Sequence, residues 1–278
     1  MHAVSTGKGP PSTCKQAGRR SAPCNIPRVD AARLVALGAA GLGAGFINGV
    51  AGGGSLVSFP ALLAVGLPAL NANVTSTVGI WTGYVGGSAG FAAEISTQKT
   101  NLRKLAVPTL AGSVAGVVLL LATPASAFSL LAPYLILVAC TLFAVQPLVS
   151  KHFQLAKRSS TRRPVLLVDV PVFLASTYGS YFGAGLGVLL LGILASVLPD
   201  DLKRISGLRT AMSLVINTVA AVAFIAFAPI AWAAVGVMAV GSLIGGYLGS
   251  LFAKWIPKGL LRVVVIAVGL AAAGKLLA

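Results

Sequence analysis

The stretch Gly45-Phe-Ile-Asn-Gly-Val-Ala-Gly-Gly-Gly-Ser-Leu-Val-Ser-Phe-Pro60 sits inside a long apolar region, yet five of its sixteen residues are glycine. A glycine in a helix interior costs about 1 kcal/mol relative to alanine. Three in succession, Gly52, Gly53 and Gly54, therefore predict a helix that breaks and restarts. Unwound backbone at membrane depth is tolerated only inside protein or beside a cavity. If the flanking apolar runs cross a bilayer, the break marks an interior site.

Working outward, the whole chain has membrane composition. Of its 278 residues 56% are apolar and only 9% are charged, against about 25% charged in a soluble domain; the mean hydropathy is +0.92. Ten apolar segments follow one another, at 34–50, 54–66, 70–92, 104–123, 129–149, 165–182, 184–198, 210–228, 231–252 and 260–278. Most match a hydrocarbon core of about 30 Å. The two segments beside Gly52–Gly54 are short, as are those beside Gly183-Ala184-Gly185, so each pair reads as a broken helix or hairpin. The chain is thus an all-α polytopic membrane protein of eight to ten membrane segments. Residues 1–33, with Pro10, Pro11, Pro23 and Pro27, lack periodicity and read as a disordered basic leader.

The net charge of +16 would suggest nucleic acid in a soluble chain. Here the cations gather in short loops, where the positive-inside rule places them without any ligand, so no nucleic-acid partner is expected. Loop 93–104 holds Lys99, Arg103 and Lys104; the linker 150–164 holds Lys151, Lys157, Arg158, Arg162 and Arg163. Loop 199–209 holds Lys203, Arg204 and Arg209, and loop 253–262 holds Lys254, Lys258 and Arg262. The alternate loops near 67–69, 124–128 and 229–230 hold none, so the first set faces the cytoplasm of a bacterial inner membrane. The leader carries Lys8, Lys15, Arg19, Arg20, Arg28 and Arg33, in conflict with the outside location that an even number of crossings gives it.

The two halves, 34–149 and 165–278, resemble each other. Gly45, Gly49 and Gly53 match Gly179, Gly183 and Gly187 at an offset of 134, and Ala-Gly-Ser-Val-Ala-Gly at 111–116 matches Val-Gly-Ser-Leu-Ile-Gly at 240–245 at an offset of 129. Small residues at every fourth position also let membrane helices pack closely. Five segments per half is odd, so the second half enters the membrane inverted. Inverted repeats with paired broken helices point to a secondary transporter whose site lies where the breaks meet. Helix N-termini at such breaks offer free N–H groups and positive dipole ends, which suit an anion.

The residues also carry a family resemblance. Gly45 to Pro60, then Leu67-Pro68 and Asn71-Ala-Asn-Val-Thr-Ser76, resemble the first-repeat signature of the TauE/SafE family of sulfite-exporter-like permeases. Gly179-Ser-Tyr-Phe-Gly-Ala-Gly-Leu-Gly187, Asp201-Leu-Lys-Arg, the Arg209 to Asn217 stretch and Gly241 to Gly249 agree with its second half. The resemblance implies a two-repeat permease for sulfite, sulfoacetate or a related organosulfur anion, driven by a coupling ion, proton or sodium.

Polar residues beside the breaks are the candidates for substrate binding: Asn48, Gly52, Gly53, Gly54 and Ser55 at the first, Ser180, Tyr181, Gly183 and Gly185 at the second. Asn73, Thr75 and Ser76 open the third segment; Arg209, Thr210, Ser213 and Asn217 lie along 210–228. Arg209 reads either as the charge that attracts an anion or as a loop cation. Ser and Thr in such helices also bond back to a carbonyl one turn earlier. Glu94 and Asp169 lie near segment ends and read as solvated, the alternative being that one of them carries a coupled proton. Cys14, Cys24 and Cys140 have no metal-ligand spacing, His2 and His152 lie in leader and linker, and no HExxH or Gly-x-Ser-x-Gly occurs. No catalytic residue, metal or cofactor is therefore expected, and an integral membrane enzyme is the weaker alternative. A channel, or a carrier for an unrelated solute, also needs broken helices around a polar path.

Overall fold

A computed structural model describes residues 30–156 and 166–277, apart from Pro199, Lys254, Ile256 and Pro257. The leader as far as residue 29, with Cys14 and Cys24, and the linker from 157 to 164 lie outside the described residues. So do the side chains of Lys151 and His152.

The described residues are all-helical. Ten helices follow the ten apolar segments: α1 (Ala31–Val50), α2 (Ser55–Ala64), α3 (Ala69–Gly90), then α6 (Ala106–Ala122), α7 (Ala125–Ala156), α8 (Leu166–Tyr181), α9 (Leu186–Val197), α10 (Leu202–Phe227), α11 (Trp232–Phe252) and α12 (Lys258–Leu277). Two short helices, α4 (Ala92–Thr97) and α5 (Lys99–Lys104), occupy what the sequence reads as loop 93–104. Four helices are long and apolar enough to cross a membrane by length and composition: α1, residues 125–145 of α7, α10 and α11. Helices satisfy their own backbone, which is why lipid selects them.

Two boundaries differ from the sequence reading. Helix α7 continues into the start of the segment read as linker. Helix α10 begins at Leu202 rather than near 210, so Lys203, Arg204 and Arg209 are helical. Charge clusters mark the membrane–water boundary, and a helix can run across that boundary without ending.

The packing is reciprocal between halves. Helix α1 lies along α11 and α8 along α6; α2 rests on α12 and α9 on α7; α3 and α10 cross in the middle, and α7 pairs with α12. Glycines set the close approaches. Gly112 and Gly116 of α6 sit on the carbonyls of Phe173 and Thr177, while Gly245 and Gly249 of α11 sit on those of Leu42 and Phe46. The matching turns at Gly52 and Gly183 align α1 with α8 at an offset of 131 rather than 134, and at that register Gly112 and Gly116 correspond to Gly245 and Gly249, an offset of 133 rather than 129. A four-residue glycine period maps onto itself after one turn, so sequence matching slips by about a turn where the paired turns at the breaks do not.

The distribution of polarity is that of a lipid-facing body. Val35, Val107, Leu130, Phe227, Trp232 and Val263 are exposed, whereas Asn48, Ser58, Asn73, Thr75, Ser76, Arg209, Ser213 and Asn217 are buried. Helix α3, with fourteen of its twenty-two residues buried, including Asn73, Thr75, Ser76 and Thr77, runs through the interior.

At the end of α10, Lys203 pairs with Glu94 of α4, and Asp200 accepts from Gln98 Nε2 at 2.6 Å. Glu94 is therefore paired rather than solvated; its hydrogen bond to Lys203 holds its carboxyl below the usual range. A carboxylate with a lowered folded-state pKa contributes stability above its unfolded pKa and loses it as pH falls through the folded value. Lys203 is two-thirds exposed, so Glu94→Gln is expected to cost under about 1 kcal/mol at neutral pH. Thermal melts in detergent should show that difference vanishing on acidification. Asp169 has one buried oxygen, Oδ1, without a hydrogen-bond partner, again unlike the solvated reading.

Candidate functional site

The two breaks are built by the same backbone device. At the first, the N–H groups of Ala51 and Gly52 both close on the Ile47 carbonyl, at 2.8 and 2.9 Å. At the second, those of Phe182 and Gly183 both close on the Tyr178 carbonyl, at 2.9 and 3.3 Å. Gly52 (φ +81°) and Gly183 (φ +78°) then turn the chain through the left-handed region, and Gly185 (φ +80°) does so again before α9. Only glycine adopts this conformation without a Cβ penalty.

Different side chains hold the two turns. Asn48 Oδ1 accepts the Gly54 N–H at 2.7 Å, capping the start of α2. At the other break the Tyr178 hydroxyl donates to the Ala184 carbonyl at 2.7 Å, and Asn73 Nδ2 donates to the Tyr181 carbonyl at 3.0 Å. The breaks touch directly. Gly187 N–H donates to the Gly52 carbonyl at 3.0 Å, and a Cβ at Gly52 would stand 2.5 Å from the Gly187 Cα. Ser55 Oγ faces Gly183 across the same junction.

Arg209 lies against this junction. It is 1% exposed, so it is not a loop cation. Its Nη2 donates to the carbonyls of Asn48 and Gly49 at 3.4 and 3.3 Å. Its Nη1 is buried without a hydrogen-bond partner and would lie 3.1 Å from a Cβ at Gly52. Asn48 Nδ2 is likewise buried and unpartnered. The Tyr84 hydroxyl neighbours Asn48, Asn217 and Arg209. No carboxylate pairs with Arg209 among the described residues. A buried cation is costly unless something compensates it, and the unused atoms here, Nη1 and Nδ2, are both donors. Such donors have the chemistry to receive an anion.

Several other candidates from the sequence face elsewhere. Ser180 packs against Gly116 of α6. The Tyr181 hydroxyl approaches Thr123 at 3.4 Å. Thr75 Oγ1 accepts the Ala231 N–H at 3.2 Å, at the start of α11. Ser76 shares a 2.6 Å hydrogen bond with Ser58, joining α2 to α3. Thr210 turns its methyl group to Gly87 and bonds back to Ser206 at 2.8 Å, but its Oγ1 also accepts from Arg209 Nη2 at 3.5 Å, so it borders the junction. Asn217, by contrast, stays at the junction: it donates to Ser213 one turn earlier, at 2.9 Å, and lies beside the Tyr84 hydroxyl. Gly53 sits under the Phe143 ring and Gly54 against the Ala44 carbonyl. The sequence reading passed over Tyr84, because an aromatic residue in an apolar helix looks like core.

The comparisons agree with this architecture. The family model described as "Sulfite exporter TauE/SafE" matches residues 37–276. Similar proteins include a "Probable membrane transporter protein" of Haemophilus influenzae, 25% identical, with 84% of this chain and 90% of that protein covered. "Probable membrane transporter protein ORF9" of Sinorhizobium sp is 24% identical over 84% of this chain and 88% of its own length. "Probable membrane transporter protein YfcA" of Escherichia coli K12 is 25% identical over 84% and 86%. No solved structure matches the chain significantly.

Proposed function

We propose that this chain, which belongs to the sulfite exporter TauE/SafE family, is a secondary permease for a small sulfur oxyanion, sulfite or an organosulfonate, which binds where the two helix breaks meet. Family and relatives make it a membrane transporter of the bacterial inner membrane. The observation that carries the anion is Arg209: a buried guanidinium without a carboxylate, one nitrogen unused, beside an unused amide nitrogen of Asn48. An oxyanion entering a low-dielectric interior must have its hydration replaced by fixed donors. A planar guanidinium can supply two parallel bonds to two oxygens. The reciprocal packing of the halves supports a carrier of inverted repeats, in which one half rocks against the other. In that arrangement loop 124–128 is extracytoplasmic; reporter fusions reading it as cytoplasmic would overturn the topology.

The direct test is flux of labelled sulfite and of a simple alkanesulfonate into proteoliposomes. Wild type should show saturable uptake driven by a proton or sodium gradient, and unsaturable flux would favour a channel. Asn48→Asp keeps an acceptor for the Gly54 N–H but places a negative charge beside Arg209. That variant should fold as wild type does and lose anion flux by on the order of tenfold or more. If it transports normally, the anion does not bind at this junction.

A further inference from the structure

We infer that the Arg209 junction selects substrate by charge state, taking monovalent oxyanions such as a sulfonate or bisulfite and rejecting the dianions sulfite and sulfate. The inference rests on the anion reading above and sharpens it. Four helix ends converge at the junction: the C-termini of α1 and α8 and the N-termini of α2 and α9. Each end carries a partial charge of about half a unit, negative at the C-termini and positive at the N-termini. The four offset in pairs. What remains is the guanidinium, which stays protonated in proteins.

The surrounding elements do not change this count among the described residues: helix α7, whose Phe143 covers Gly53, carries Cys140, a thiol uncharged at physiological pH, and the exposed Tyr134. Tyr84 of α3 is the titratable group in electrostatic contact with Arg209, and a phenol is neutral at physiological pH. Helices α2, α6 and α9 present no titratable side chain. On α1, Arg33 lies at the end remote from the break, as does Asp30 just before the helix. On α8, Asp169 is in the first turn, also remote, and Tyr178 is engaged with Ala184. Tyr247 of α11 is about half exposed. On α10 itself Lys203 pairs with Glu94 of α4, and Arg204 with Asp200. Lys99, Arg103 and Lys104 of α5 are exposed.

One buried positive charge is neutralised by one negative charge. A monoanion leaves a neutral pair, whereas a dianion leaves a net negative charge in a medium that penalises it heavily. A simple alkanesulfonate carries a single charge, whereas sulfoacetate, with its carboxylate also ionised, carries two and is rejected with the other dianions. Sulfite exchanges a proton with bisulfite near neutral pH, so a carrier selecting the monoanion takes sulfur(IV) together with that proton. The proton then rides on the substrate itself, and no carboxylate at the junction is needed to carry it.

The test uses the full chain in proteoliposomes at equal pH on both sides, from mildly acidic to mildly alkaline. Three labelled probes are compared: sulfite, methanesulfonate, which keeps one charge throughout, and sulfate, which keeps two. The expected result is a sulfur(IV) flux, at fixed total concentration, that falls roughly tenfold per pH unit once the dianion predominates. Methanesulfonate flux should stay flat and sulfate should remain at background. Sulfate moving comparably, or sulfur(IV) flux that does not fall, would overturn charge-state selection while leaving anion transport standing. Equal losses of sulfur(IV) and methanesulfonate would place the pH dependence in the protein and also overturn it. If none of the three moves through wild type, the anion reading itself fails and this inference with it.

Discussion

Arg209→Gln is expected to cut oxyanion flux roughly thirtyfold or more without unfolding the protein. The substitution removes a charge-assisted donor from a buried site, worth about 2 kcal/mol or more of binding, a roughly thirtyfold loss. The effect on stability runs the other way. A buried cation without a carboxylate is a burden on the fold, and its bonds to Asn48 and Gly49 are long, at 3.4 and 3.3 Å. The melting temperature in detergent should therefore hold or rise. Arg209→Lys keeps the charge and loses the fork, so it should fall between the two. A Gln variant with normal flux would reduce Arg209 to a cap on the last carbonyls of α1.

The largest loss of stability is expected at Gly52→Ala. The added Cβ meets the Gly187 Cα at 2.5 Å, and the residue holds φ +81°. A left-handed non-glycine residue costs about 1–2 kcal/mol, and forcing an extra carbon into packed backbone costs about 1–3 kcal/mol. Together these give roughly 2–5 kcal/mol. Gly183→Ala keeps the conformational penalty at φ +78°, but its nearest neighbours stand at 3.2 and 3.5 Å, so its loss should be about half as large. Gly43→Ala and Gly236→Ala, with nothing near the added carbon, serve as controls that should melt as high as wild type or higher, since alanine favours a helix by up to about 1 kcal/mol. Thermal melts of the purified variants would rank the four. Equal melting temperatures for Gly52→Ala and Gly43→Ala would mean that the two breaks do not touch.

Much of the fold was legible because the signals are local. Apolar runs that span a bilayer, and three adjacent glycines inside one of them, act within a few residues whatever the rest of the chain does. Cation-rich loops marked where segments approach water, yet they misplaced the start of α10, since a hydropathy window treats any cation as a sign of loop. That window could not see that Arg209, two turns inside the helix, is turned away from both water and lipid.

The polar candidates divided for a geometric reason. Neighbouring residues on a helix point about 100° apart, so closeness to a break in sequence does not give closeness in space. Asn48 reaches across the break to the Gly54 N–H, whereas Ser180 and Tyr181, as near to theirs in sequence, turn toward α6 and Thr123.

The chain's own residues determine that it is helical, that it resides in a membrane, that it repeats and that it breaks at Gly52 and Gly183, because hydropathy and glycine's backbone cost are properties of short segments. Tertiary structure alone decides the alignment of the halves and the company Arg209 keeps. A glycine every fourth residue leaves the alignment uncertain by one turn until helices pack. Gly52, Tyr84, Gly187 and Arg209 come from four separate parts of the chain, and only the crossing of α3 and α10 beside the paired breaks brings them into one site.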